Sequence, residues 1–175
     1  MMFYGLQGMS GESREVLSLL ATLNAVLASS AADGKRSLSY SEFARAVYGL
    51  QSMSLESAAV RRTLTHLTRR LRAYILSSSE GSRREDGLTG KDVAMTIYGL
   101  QSMGSDWPQV LQVLEAVSSA MQQAGGVLSL ENSHIVTIFH SLQKMGETCF
   151  RSRITYIPLF PCFLFPLPTA TATVV

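Results

Sequence analysis

Apolar residues fall at intervals of three and four along this chain, and the intervals come in two alternating forms. One form uses offsets of 4, 7 and 10: Phe43, Val47, Leu50, Met53; then Val93, Ile97, Leu100, Met103; then Ile135, Phe139, Leu142, Met145. The other uses offsets of 4, 7 and 11: Val16, Leu20, Leu23, Leu27; then Val60, Leu64, Leu67, Leu71; then Val110, Leu114, Val117, Met121. At about 100° per residue each set lies on one face of an α-helix. No segment alternates apolar and polar residues as a half-buried strand would. The pattern therefore predicts an all-α chain in which two kinds of amphipathic helix take turns.

The helix starts carry their own signals. Ser39-x-x-Glu42 is a capping box, and Thr89-x-x-Asp92 is its acidic variant, which also suits a helix N-terminus. Pro108, after Ser105-Asp106-Trp107, falls in a first helical turn, where its missing N–H costs little. Gly- and Ser-containing loops return the chain to the next unit at 29–37, 77–87 and 123–127. The second of these holds a polar insertion, 79–87, that lengthens its unit.

Superimposed on this rhythm is a repeated hexapeptide. Tyr4-Gly5-Leu6-Gln7-Gly8-Met9 recurs as Tyr48-Gly49-Leu50-Gln51-Ser52-Met53 and Tyr98-Gly99-Leu100-Gln101-Ser102-Met103, and fades to His140-Ser141-Leu142-Gln143-Lys144-Met145. The copies stand 44, 50 and 42 residues apart, the spacing of a stacked array of helix pairs. A helix pair cannot cover its own apolar face, and stacking neighbours does so. The expected fold is an α-solenoid of helix–turn–helix repeats of about 42–50 residues, with a closed bundle of five or six helices as the alternative. The units fall near 4–47, 48–97, 98–139 and, in part, 140–150. Residues 151–175 form an apolar tail with four of the five prolines, too short and too often interrupted for a membrane helix of about 20 residues. A read-through or mis-spliced tail is the first reading of it, a loosely packed extension the second, and a membrane anchor the third. With the hexapeptide at one end and the loss of the repeat at the other, the expectation is a fragment of a longer array.

Composition narrows the classes of function. The chain is 46% hydrophobic and 16% charged, which fits a folded core rather than a disordered chain. Its net charge of +2 comes from Arg151 and Arg153, since residues 1–150 balance. A neutral repeat region lacks the overall basic signature of a nucleic-acid binder, so such a role must rest on a local patch. Cys149 and Cys162 have neither the number nor the spacing of a disulfide framework or metal site, which points to reduced thiols inside a cell. His66, His134 and His140 are not spaced as helical metal ligands, and no phosphate-cradling glycine loop follows a strand. No secretory signal or organellar presequence is readable. The reading is a non-enzyme with no metal, no cofactor and no small-molecule substrate.

The remaining candidates are surface groups. Arg61, Arg62, Arg69, Arg70 and Arg72 crowd one second helix with Glu56 as the single nearby acid. Arg62 and Arg69 point away from the Val60/Leu64/Leu67/Leu71 stripe with His66 beside them. Together with Arg72 they form a strip suited to phosphate oxygens, or else a solvated helix face. The glycine of the hexapeptide, placed one turn from the helix end, costs roughly 1 kcal/mol against alanine. Close helix–helix approach, which Ser141 also permits, is the compensation expected. Tyr48 and Tyr98 belong to an inter-repeat core or stack on a nucleobase. Gln51, Gln101 and Gln143 recur without a packing reason; they close an inter-repeat hydrogen-bond ladder or line a concave surface that reads a partner.

Tyr48–Met53 followed by 54–60, and Tyr98–Met103 followed by 104–110, resemble the degenerate helix–turn–helix repeats of the octotricopeptide, heptatricopeptide and FAST-kinase-like organellar proteins. In those groups the first helix ends in an aromatic-x-Leu-x-x-hydrophobic pattern, and a short turn leads to a Leu-rich second helix. The resemblance spans roughly residues 4–150. It implies binding of single-stranded RNA, a role in organellar transcript metabolism, and a plastid or mitochondrial setting. The competing expectation is a protein-interaction scaffold that holds a peptide or helix on its concave face.

Overall fold

The computed structural model describes residues 8–9, 13–32, 38–78, 87–124 and 128–154. Six helices follow one another: α1 (Arg14–Ala32), α2 (Tyr40–Gly49), α3 (Ala58–Ser78), α4 (Gly90–Gly99), α5 (Pro108–Gln123) and α6 (Asn132–Ile154). Among the described residues there is no strand, so the chain is all-α as its periodicity predicts. The first hexapeptide, apart from Gly8 and Met9, lies outside the described residues, as do Gln7, Cys162 and the tail from 155 onward.

The starts of α2 and α4 are set by their caps. Ser39 Oγ accepts from the Glu42 amide while the Glu42 carboxylate accepts from the Ser39 amide at 3.1 Å. Thr89 and Asp92 exchange the same pair of bonds at 3.2 Å each, with Asp92 itself buried. Each box satisfies two backbone donors that the first turn leaves unpaired. Pro108 opens α5, where Trp107 caps without a side-chain bond.

The ends of α2 and α4 are equally alike. Both helices stop at the hexapeptide glycine itself rather than one turn beyond it. The following leucine amide bonds to the carbonyl three residues back, Leu50 to Val47 and Leu100 to Ile97. The fourth copy does not stop there: α6 runs through Ser141 and across residue 151 to Ile154. Neither the Ser54-Leu55-Glu56-Ser57 turn nor a proline follows Met145, and serine replaces the glycine, so nothing ends the helix.

The helices arrange in two rows. α2 packs against α4 and α4 against α6; α1 packs against α3 and α3 against α5; α2 and α3 link the rows. Phe43, Val47, Leu50 and Met53 from α2 and its exit turn, and their α4 counterparts Val93, Ile97, Leu100 and Met103, all lie in one core with Val60, Leu64, Leu67 and Leu71 of α3. Asn24 of α1 reaches across to α3, donating to the Ala59 carbonyl at 3.0 Å.

Three expected stripes differ from the sequence reading. In α1, Val16, Leu20 and Leu23 are buried but Leu27 is only half-buried. In α5, which packs against α3, Val110 and Val117 are buried with Val113, Ala116 and Ala120, while Leu114 and Met121 are only half-buried. In α6 only Met145 of its four-residue stripe is buried; Ile135, Phe139 and Leu142 are exposed. α6 packs against α4; its Ser141 and Met145 are buried, Ile138 is half-buried, and the half-buried His134 and Thr137 face Lys91, Met95 and Tyr98 of α4 across a shallow depression.

Glycine makes the α2–α4 approach possible. A Cβ on Gly99 would stand 2.6 Å from the Val47 carbonyl oxygen and 2.8 Å from the Tyr48 nitrogen. Only a hydrogen fits there. The equivalent residue of α6, Ser141, is fully buried and turns its hydroxyl back to the Thr137 carbonyl at 2.7 Å. Close approach thus explains the recurrence of a small residue at this position.

Candidate nucleic-acid interface

The arginines of α3 divide by what they touch. Arg61 donates to the Leu55 and Glu56 carbonyls at 2.6 and 2.8 Å, closing the turn that leads into α3, and its guanidinium lies 5.3 Å from the Trp107 ring centroid. Arg70 donates to the Leu27 carbonyl of α1 at 2.9 Å. Arg72 forms an ion pair with Glu115 of α5 at 2.5 Å; with side chains 44% and 72% exposed, such a pair adds little stability, about 1 kcal/mol at most. Three of the five arginines therefore serve helix–helix and loop contacts. Arg72, one of the sequence candidates, has its charge matched by Glu115.

Arg62 and Arg69 are different. Both are exposed, and among the described residues neither has a hydrogen bond or an ion pair. Seven residues along the helix place them about 10 Å apart on one side. His66 lies between them, half-buried. Burial first, then the charges of Arg69 and Arg70, push its pKa below the usual imidazole value, so at pH 7 it is a neutral donor or acceptor rather than a third cation. The strip read from the sequence contracts to two free guanidinium groups around a neutral ring.

The hexapeptide aromatics lie on the other row of helices. Tyr48 and Tyr98 stack with ring centroids 5.6 Å apart and planes inclined by 26°. Both are half-buried, so the ring serves the contact between α2 and α4 and also shows an edge to solvent. Beside them opens a shallow depression of about 270 Å³, lined by Tyr48, Lys91, Met95, Tyr98, His134 and Thr137. His140, the fourth aromatic, is exposed. The structure thus places the tyrosines and the arginine strip on different rows and does not combine them into one site.

The glutamines of the three copies differ in their surroundings. Gln51 and Gln101 are half-buried, and the Gln51 Oε1 has no donor within reach among the described residues. Gln143 is exposed and donates to Glu147 at 3.3 Å, a contact within its own helix. The next residue of the motif makes bonds between units. Ser52 Oγ donates to the Met9 carbonyl at 3.1 Å, and Ser102 Oγ donates to the Gln51 carbonyl. The signal was in the hexapeptide all along, since serine recurs at its fifth position in both central copies.

No group of three or more His, Cys, Asp or Glu side chains that can hold a metal ion occurs among the described residues. None of the described helices is long and apolar enough to cross a membrane. No protein-family model, curated protein or solved structure matches this chain.

Proposed function

We propose that this chain is a segment of an α-solenoid with two-helix units of about 42–50 residues, and that it binds single-stranded RNA through Arg62 and Arg69. The solenoid reading is supported by the like-to-like contacts of α2 with α4, α4 with α6, α1 with α3 and α3 with α5. The observation that carries the RNA reading is the pair of exposed arginines. On a helix whose other arginines are engaged, these two are held on a rigid element with their donors open to an anion. A guanidinium offers a planar fork to phosphate oxygens, and backbone contacts of this kind bind RNA without reading its sequence. His66 between them can donate to, or accept from, a base or ribose hydroxyl.

The test is fluorescence anisotropy of the full chain with a random single-stranded RNA pool at two salt concentrations. Two phosphate contacts on a single strand predict that log K falls against log salt with a slope of about −1.4. Arg62→Glu combined with Arg69→Glu should abolish binding while circular dichroism stays unchanged. Binding that survives the double substitution removes these residues from the interface.

A protein-interaction scaffold is the second reading, favoured by the neutral repeat region and by the Tyr48/Met95/Tyr98 depression with its largely apolar lining. Binding insensitive to salt and to the arginine substitutions, but lost on Tyr98→Ala, would establish it in place of the first.

A further inference from the structure

The depression over α4 lies in the middle of its row of helices. α2 borders it with Tyr48 and α6 borders it with His134 and Thr137. Val93, Ile97 and Leu100, on the opposite face of α4, are in the core. A further unit at either end of the row would leave this surface open.

Its two ends differ in chemistry. Lys91 and Tyr98 stand seven residues apart on one face of α4, about 10 Å along the axis. Tyr48 and Tyr98 stack at one end, and Ala94 and Met95 lie between the ends. At the other end His134 comes close because residue 90 is glycine. A Cβ on Gly90 would stand 2.5 Å from the Ser129 carbonyl oxygen and 3.1 Å from His134 Nδ1. That Nδ1 accepts from the Glu131 amide at 3.4 Å, so Nε2 carries the ring hydrogen and is a donor.

No carboxylate lines the depression to answer these donors. Lys91 is exposed and has neither a hydrogen bond nor an ion pair among the described residues. Asp92 is turned into the Thr89 cap, and Glu131 accepts from the Ser133 hydroxyl at 3.4 Å. The surface therefore complements a ligand with an anionic group at one end and an apolar ring about 10 Å away. At about 270 Å³ the depression falls below the roughly 300–1,000 Å³ of sites that enclose a free small molecule. It suits a side-chain anchor presented by a larger partner.

We propose that the depression binds an acidic segment of a partner protein, with an aromatic side chain against Tyr48, Met95 and Tyr98 and a carboxylate on Lys91 and His134. A segment in the polyproline II form has three residues per turn and rises about 3.1 Å per residue. Positions three apart then share a side and stand about 9 Å from each other, which matches the two ends. The proposal rests on the scaffold reading, whose depression it uses, and is independent of Arg62 and Arg69.

The experiment follows amide shifts of the nitrogen-15-labelled full chain. The probe is a synthetic peptide of proline and serine that carries one glutamate and, three positions later, one phenylalanine. Saturable shifts should appear at Lys91, Met95, Tyr98 and His134 with a Kd of about 1 mM or below, as one anchor permits. Glutamine in place of the peptide's glutamate should weaken binding by about 3- to 5-fold, the measure of an exposed ion pair. Lys91→Glu should weaken it at least as much, and should restore it for a peptide with lysine in place of glutamate. Lys91 is exposed in the first turn of α4, where an acid is favourable, so helicity should not change. Equal binding of the glutamate and glutamine peptides, or binding unmoved by Lys91→Glu, overturns the acidic partner and leaves the scaffold reading standing. No saturable shift with either peptide overturns the proposal and removes the depression's support for the scaffold reading. Saturable shifts at the same residues from a random RNA pool, without any from the peptides, overturn it and assign the depression to nucleic acid.

Discussion

α4 and α6 are two versions of one helix, and the contrast between them separates what a repeat motif encodes from what its neighbours supply. α4 has α2 on one side and α6 on the other, and shares the core with α3 and α5; every apolar residue of its stripe is buried. α6 keeps the same spacing of apolar residues and packs against α4, but three of its four stripe residues are exposed. The amphipathic pattern is a property of the helix. Burial is a property of the assembly, and each helix acquires it only when the next one arrives.

The largest expected effect comes from phenylalanines on the two sides of this contrast. Phe43→Ala removes a fully buried ring and should cost about 3–5 kcal/mol in urea denaturation. Phe139→Ala should change stability by about 0.5 kcal/mol or less, as an exposed substitution does. Equal losses would mean that the α6 face is covered in solution.

A glycine pair gives a smaller effect of opposite sign. Gly99→Ala gains helix propensity but forces a methyl into the Val47 backbone, for a net loss of about 1–3 kcal/mol. Gly146→Ala, inside α6, meets no atom within 4 Å and should stabilise the chain by up to about 1 kcal/mol. The midpoints of the two denaturation curves should therefore move in opposite directions from that of the unsubstituted chain. A Gly99→Ala variant at or above the original midpoint would contradict the close approach of α2 and α4.

Much of this arrangement is legible in the sequence because it depends on local chemistry. The Ser39/Glu42 and Thr89/Asp92 boxes state where helices begin, and Pro108 marks the start of α5. The Val60/Leu64/Leu67/Leu71 stripe names its buried face correctly, and the recurring glycine implies the close contact that Gly99 makes. What was not legible depends on partners distant in sequence. Periodicity picks out the face of α6 but cannot say that Ile135, Phe139 and Leu142 on it are exposed. Five arginines on α3 read alike until the structure shows that Arg61 closes a loop, Arg70 reaches Leu27 and Arg72 meets Glu115. Serine at the fifth position of the motif makes inter-unit hydrogen bonds that only its neighbour's carbonyl, distant in sequence, reveals.

The most direct test of the α4–α6 contrast is native-state thiol labelling of single-cysteine variants, with Cys149 and Cys162 replaced by serine. Phe139→Cys and Ile97→Cys probe the same position of α6 and α4. The open-face account predicts that Phe139→Cys reacts at nearly the rate of an unfolded control. Ile97→Cys should react roughly 100-fold or more slowly, as a local opening cost of about 3 kcal/mol requires. Comparable protection of the two thiols would contradict it and show that the α6 stripe is as buried as its counterpart.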